Sequence, residues 1–401
     1  MAIGHTGRRS VVPAPGLPGP AHRSSAPEGR ALTVIQQRPD TLANGGDKRQ
    51  IDNPFDRQQT GVPLVTVVGP FGLSVRDQAL EADVQAGLAA VEEGLLEATK
   101  SDVPFITEAA QHLVRAGGKR FRPLLAMLAA QFGDPHTPGV VPSAVVVELT
   151  HLATLYHDDV MDEADVRRGV SSANARWGNS VAVLTGDFLF ARASHILADL
   201  GPEAVRIQAE AFERLVTGQI LETAGPRDGR DPIEHYLDVI AGKTGSLIAV
   251  AGRFGAMMSG ADESIVNILT QYGERLGTAF QLADDVLDIA SDSHESGKTP
   301  GTDLREGIPT LPVLHLRALA DSEHGTDKDR ELRDLLAGDL TDDARHAEAL
   351  AGLRAHPALE QARRDTVRYA EEARATLAPL PECMAKAALE GLCDSVVHRA
   401  G

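Results

Sequence analysis

From about residue 75 onward the apolar positions recur at intervals of three and four rather than two, the period of a helix with one buried face. In the stretch VRDQALEADVQAGLAAVEEGLLEATK, residues Leu80, Val84, Leu88, Val91 and Leu95 fall on one stripe, and Ser74 stands where a capping side chain is needed. The same period returns to the end of the chain. It is interrupted at Pro104, Gly117–Gly118, Pro135, Pro142, Pro202, Pro232 and Pro300, residues that start or stop helices. Ala, Leu, Val and Gly dominate, aromatics make up only 4%, and no repeat of fixed length is visible, so the predicted fold class is all-α with little or no sheet.

The first 60 residues are of another kind: VVPAPGLPGPAHRSSAPEGR and NGGDKRQ carry Pro, Gly, Ser and Arg without period. Residues 1–73 are therefore expected to be a disordered tail, dispensable for catalysis, ahead of a helical domain over 74–401. From about residue 320 the chain becomes more charged and irregular, which suits a peripheral helical layer without chemistry.

Charge narrows the possible partners. The formal net charge is −18, and eight Lys/Arg against five Asp/Glu in the first 60 residues leave about −21 on the remainder, a surface that repels nucleic acid. Any cluster of basic side chains on this acidic body must serve something small. Cys383 and Cys393 are ten positions apart, with no metal-type spacing, and read as thiols of a reducing cytoplasm. No apolar run approaches the roughly 20 residues of a membrane span, and the N-terminus lacks the apolar core of a secretory signal. A cytoplasmic enzyme without a transmembrane segment is expected, its only membrane contact a peripheral one for product release.

The candidate chemistry starts at HLATLYHDDVMDEADVRRG, residues 151–169. On a helix predicted over about 142–163, Asp158 and Asp162 are one turn apart and His151 is two turns earlier on the same face. Carboxylates held this close repel one another unless a cation lies between them, and hard oxygen donors suit Mg²⁺ shared with phosphate oxygens. FQLADDVLD repeats the spacing at Asp284, Asp285 and Asp288. Two such motifs facing a cleft suit a Mg²⁺ cluster that grips a diphosphate. Cations accompany them: Lys119, Arg120 and Arg122 in GGKRFRP, Arg167 and Arg168 behind the first motif, Lys243 in AGKTG and Lys298 in GKTPGTDL. AGKTG is not a P-loop, because Leu237 stands where that pattern needs glycine.

GGKRFRP, DDVMDEADVRRG, AGKTG, FQLADDVLD and GKTPGTDLREGIPTLP, in this order over roughly residues 76–401, resemble the trans-isoprenyl diphosphate synthases of the polyprenyl synthetase family. The resemblance implies a helical bundle around a deep central cavity, as a homodimer, with the acidic motifs at the mouth. It implies Mg²⁺, three ions with substrate bound, held by Asp158, Asp162 and Asp284 with Asp159, Asp285 and Asp288 in support. Isopentenyl diphosphate is then held by Lys119, Arg122, His151 and Arg168. The allylic diphosphate falls to Arg167, Lys243, Thr244, Gln281 and Lys298, with Lys243 also in the catalytic set. Where the family has Lys in its last motif this chain has Ile308, which removes one cation from the mouth and is expected to alter release rather than abolish activity. Thr154, Ala153 and Thr150, below Asp158, are all small, so a growing chain passes them and a medium or long all-trans product follows, suited to a quinone side chain. A terpene cyclase is disfavoured by the second motif, a di-iron bundle by the lack of a second ExxH beside Glu148–His151, and a regulatory subunit by two intact acidic motifs.

Overall fold

The computed structural model describes residues 66–68, 73–75, 77–291 and 300–400. Contacts divide the chain into two units, Met1–Thr60 and Gly61–Gly401; the first, and with it the expected tail up to residue 60, lies outside the described residues. The reading of Ser74 as a helix cap needs correction. Strands β1 (Thr66–Val68) and β2 (Leu73–Val75) pair antiparallel, and Ser74 is a strand residue paired with Val67. The first helix, α1 (Gln78–Ala98), is instead capped by Asp77, whose Oδ1 accepts from the N–H groups of Ala79 and Leu80. Its predicted stripe is buried: Leu80, Val84, Val91 and Leu95 lie in the core, with Leu88 packed against it.

The all-α reading holds. Helices α2 (Pro104–Arg115), α3 (Phe121–Ala130) and α4 (Val140–Met161) are followed by a second small hairpin, β3 (Val166–Arg167) and β4 (Val170–Ser171). Then come α5 (Ala173–Trp177), α6 (Asn179–Leu200), α7 (Pro202–Ala224), α8 (Pro232–Ile240), a π-helical turn at Ala241–Gly245, α9 (Ser246–Met258) and α10 (Glu263–Ala290). The outer part comprises α11 (Thr302–Arg305), α12 (Leu311–Ala320), α13 (Asp327–Leu336), α14 (Asp343–Arg354), α15 (Pro357–Thr376) and α16 (Met384–Ala400). Pro104, Pro202 and Pro232 occupy first-turn positions, where the missing N–H costs no hydrogen bond.

Two helices organise the interior. Helix α4 packs against α1, α3, α6 and α9, and α10 against α9, α15 and α16, so α9 is shared by both. Tyr156, fully buried on α4, donates to the Ala109 carbonyl at 2.6 Å and accepts from the Leu113 N–H at 3.3 Å, tying α4 to α2. Tyr272 ties α10 to α16 by donating to the Leu389 carbonyl at 2.6 Å. Helices α3 and α9 approach so closely that a Cβ on Gly255 would lie 2.1 Å from the Ala126 carbonyl oxygen. The acidic motifs therefore sit in the last turns of the two helices that the rest of the bundle holds most firmly.

Helix α6 departs from expectation: with 22 residues it is long and apolar enough to cross a membrane by length and composition. It carries Asp187, Arg192 and Asp199 and lies along α4, which places it in the bundle, although Val183 and Leu184 on its outer face are exposed.

Candidate active site

At the end of α4 the three acids of the first motif have separate environments. Asp159 is fully buried and accepts from Arg167 Nε at 2.5 Å, which fastens the β3–β4 hairpin to the helix end. Asp162 is the C-cap residue, its N–H bonded to the Asp158 carbonyl at 2.8 Å and its side chain exposed. Asp158 lies between these extremes. Burial pushes its carboxyl up to about 6, opposed chiefly by the Lys243 ammonium, with Asp162 adding to the rise. Asp158 and Asp162 thus face the mouth as one-turn neighbours while Asp159 serves the scaffold.

Below this motif is a cationic cluster arranged around one acid. Glu148, only 2% exposed on α4, receives Arg120 Nη1 at 3.0 Å and has Arg168 Nη2 at 3.9 Å. Arg120 also bridges to Glu92 on α1 and donates to the Val114 carbonyl, so it is a structural residue rather than a ligand contact. Arg168 donates to the carbonyls of Leu113 (3.1 Å) and Gly117. Arg120 and Arg168 both have left-handed backbones, φ 49° and 54°, and Gly118 at φ 149° admits Arg168 because a Cβ there would lie 2.8 Å from its Nη1. Burial, with Arg168 nearby, pushes the Arg122 guanidinium down to about 10 against the pull of Glu148, and its buried Nε has no hydrogen-bond partner among the described residues. His151 is held well below its ordinary value by burial and by the Arg122, Arg168, Arg120 and Arg167 charges, so it is neutral. The structure thus brings Arg122, His151 and Arg168 together, with exposed Lys119 between Gly118 and Arg120. The arrangement is a largely buried positive cluster whose charge suits an anion.

The π-helical turn links the two acidic motifs. Lys243 donates to Glu222 on α7 at 2.7 Å while its charge acts on Asp158. The next residue, Thr244, donates to Gln281 Oε1 at 3.1 Å, and Gln281 Nε2 donates to Asp285 at 2.9 Å. Asp285 is also bonded by the Tyr236 hydroxyl, and burial pushes its carboxyl up to about 8 despite that bond. Asp288 accepts from the Thr302 and Asp303 N–H groups at 3.2 Å each and so anchors the following turn. Asp284 lies 2.7 Å from Arg399 Nη2. Lys298 lies outside the described residues. Among the described residues no three His, Cys, Asp or Glu side chains converge to hold a metal ion, so an ion here needs oxygens from a ligand as well.

Two cavities adjoin these groups. One of about 550 Å³ reaches Lys243, Gln281, Asp285, Tyr236 and Leu314, and Ile308 lines it where the resemblance led us to expect a cation. The other, about 370 Å³ and almost wholly apolar, begins at Asp158 and continues past Thr154 and Val160 to Phe190 on α6 and Phe212 on α7, whose rings are 4.5 Å apart. Of the three small residues expected beside the chain path, only Thr154 lines this cavity. Ala153 is fully buried, its carbonyl 3.1 Å from where a Cβ on Gly186 of α6 would stand, and Thr150 is buried with its hydroxyl on the Val146 carbonyl and on Gln208 Nε2. Sequence reasoning also missed Glu148, Tyr236, Glu222, Phe190, Phe212 and Arg399. Glu148 left a trace: it precedes His151 by three on the stripe that continues to Asp158 and Asp162, an acid in an otherwise apolar run.

Glu148→Gln leaves Arg120 and Arg168 without their buried counter-charge and is expected to lower stability by roughly 3–5 kcal/mol in chemical denaturation; a change below about 1 kcal/mol would remove Glu148 from its organising role. For Asp285, the folded value near 8 stands above the unfolded value of about 3.9. The folded state therefore binds the extra proton between these values, and the wild type loses stability as pH rises through that window. Asp285→Asn is expected to flatten this slope, so that its urea midpoint gains on the wild type from about pH 4 to 8; parallel curves would contradict the burial of a protonated Asp285.

Comparison with known proteins gives a consistent picture. The family model described as polyprenyl synthetase matches residues 103–353. The chain is 50% identical over 331 residues to the nonaprenyl diphosphate synthase of Mycobacterium tuberculosis, covering 82% of this chain and 97% of that protein. It is 36% identical over 315 residues to the octaprenyl diphosphate synthase of Escherichia coli, covering 78% and 95%. The structure resembles the geranylgeranyl pyrophosphate synthase of Corynebacterium glutamicum, crystallised with calcium and isoprenyl diphosphate, at TM-score 0.73 and 47% identity, covering 82% and 99%.

Proposed function

The chain belongs to the polyprenyl synthetase family and is a prenyltransferase of the medium- and long-chain type, and from that premise we propose how its residues elongate an allylic diphosphate with isopentenyl diphosphate. The observation that carries the reading is the order of environments along one face of α4: the Glu148–Arg168 cationic pocket, then Asp158 and Asp162, with the apolar cavity opening from Asp158 itself.

Asp158, Asp162 and Asp284 offer hard oxygens suited to a divalent cation, with Arg167 3.8 Å from Asp162 and Arg399 2.7 Å from Asp284, while Asp159, Asp285 and Asp288 are hydrogen-bonded by Arg167, by Tyr236 with Gln281, and by the turn after α10. Asp158, Asp162 and Asp284 would hold Mg²⁺, three ions with substrate bound, which would neutralise the allylic diphosphate as a leaving group. Arg167, Lys243, Thr244 and Gln281, with Lys298, bind that diphosphate. Lys119, Arg122, neutral His151 and Arg168 hold the diphosphate of isopentenyl diphosphate through charge-assisted hydrogen bonds. The C–O bond of the allylic substrate breaks, the isopentenyl double bond attacks the allylic carbon, and the released diphosphate removes the proton that restores a double bond. Thr154, Val160 and Leu215 shield the cation and the growing chain from water.

The exposed apolar side chains Leu184 on α6 and, along the apolar cavity itself, Val183 on α6 and Val216 and Ile220 on α7 support a homodimer, in which a second copy covers this face. The enzyme works in the cytoplasm and meets the membrane only peripherally, to deliver an all-trans product to quinone assembly; residues 1–73 are dispensable for the chemistry.

The test is incubation of the purified protein with labelled isopentenyl diphosphate, Mg²⁺ and each allylic diphosphate in turn, followed by sizing of the dephosphorylated products. A ladder ending at one long prenol supports the reading, and no elongation with any starter overturns it. Phe212 is ten residues before Glu222 on α7, which places the aromatic pair about 15 Å along the helix from the mouth. Thr154→Phe is expected to shorten the longest product by at least one five-carbon unit and Phe212→Ala to lengthen it; unchanged sizes in both would show that the chain grows elsewhere.

A further inference from the structure

The C-terminal helix, expected to carry no chemistry, ends on the second acidic motif. Arg399, in the last turn of α16, places Nη2 2.7 Å from Asp284 Oδ1 and its guanidinium carbon 4.7 Å above the Phe280 ring. Phe280 stacks on Phe121 at 5.0 Å and 23°, and Phe121 stands between Arg120 and Arg122 in the cationic pocket. Arg399, Phe280 and Phe121 thus form one column from the first acid of the second motif to the start of α3.

The pairing uses only one arm of the guanidinium. Arg399 Nη1 is buried without a hydrogen-bond partner among the described residues. An arginine fixed for structure alone commonly grips a carboxylate with both arms. The 2.7 Å contact to the buried Asp284 Oδ1 is an ion pair without hydrogen-bond geometry, an arrangement that a better-placed cation can replace. Asp284 is also the acid of its motif assigned above to the metal, whereas Asp285 and Asp288 are bound to Tyr236, Gln281 and the Thr302–Asp303 backbone. Each motif therefore has a resident protein cation, Arg167 at the first and Arg399 at the second. The two differ in emphasis, because Arg167 is hydrogen-bonded to the buried scaffold acid Asp159 and reaches Asp162 only at 3.8 Å, while Arg399 lies 2.7 Å from Asp284, an acid that a metal needs.

We infer that Arg399 is a positioning residue and resident counter-ion: it holds Asp284 in the metal-free enzyme and must give way, or share the carboxylate, when a divalent cation loads. The column through Phe280 keeps the guanidinium beside the motif, so the last turn of α16 sets how readily the second motif takes its ion. This inference rests on the reading of Asp284 as a metal ligand.

The experiment is Mn²⁺ titration of the full-length protein without substrate, with free Mn²⁺ followed by electron paramagnetic resonance. Wild type, Arg399→Gln, Arg399→Lys, Asp284→Asn and a chain ending at His398 are compared, each checked for folding by circular dichroism. Removing a partly exposed competing cation is expected to tighten Mn²⁺ binding about 2–5-fold in Arg399→Gln and in the shortened chain. Arg399→Lys, which keeps the charge, is expected to stay near wild type, and Asp284→Asn to bind more weakly. If Asp284→Asn weakens binding but neither Arg399→Gln nor the shortened chain tightens it, the counter-ion role is overturned. If Asp284→Asn leaves Mn²⁺ affinity unchanged, the assignment of Asp284 to the metal fails instead, and this inference with it.

Discussion

One buried carboxylate, Glu148, makes the cationic side of the site possible. Arg120, Arg122 and Arg168 are drawn from two separate turns onto the interior face of α4, around a histidine that burial and their charges keep neutral. Like charges at such distances repel, and desolvation raises the cost. Glu148 offsets that cost from within, and the Leu113, Val114 and Gly117 carbonyls take up remaining donors. The arginines are consequently held in place before any ligand arrives. Little reorganisation is then needed at the moment of binding, which is the condition for electrostatic stabilisation of a diphosphate.

Two acidic motifs with the same spacing have acquired similar divisions of labour by different means. At the first, Asp159 turns inward to an arginine on the next hairpin; at the second, Asp285 turns inward to a phenol and an amide, and Asp288 caps the backbone of the following turn. Identical carboxylates therefore differ in acidity because of what surrounds them, with Asp158 near 6 and Asp285 near 8. The π-helical turn joins the two, since one extra residue in the helical register lets Lys243 address Asp158 and Glu222 while Thr244 addresses Gln281.

The apolar half of the site is a product of packing. The cavity beneath Asp158 lies between Thr154 and Val160 of α4, Phe190 of α6 and Phe212 of α7, beside a close approach of α6 to α4 where Gly186 meets His157 and Ala153, and Gln208 of α7 bonds Thr150 one turn deeper. Two helices that carry no motif thus supply the aromatic pair that lines this cavity.

The sequence by itself determined the helical class, the stripe of α1, the two acidic motifs and the cations that accompany them, because helical period and one-turn spacing are local properties of the chain. It also placed His151 and Asp158 on one face of α4. It misjudged Ser74, since the β1–β2 pairing that claims it is not a local property, and it treated Ala153 and Thr154 as equivalent although successive helical residues point about 100° apart. Only the tertiary structure decided which acid of each motif is spent on the scaffold, which arginine of GGKRFRP is structural, that Glu148 balances the pocket, and that Arg399 reaches Asp284 from more than a hundred residues away. Those outcomes depend on desolvation and on partners brought together by packing, and neither is encoded in the spacing of residues along one helix.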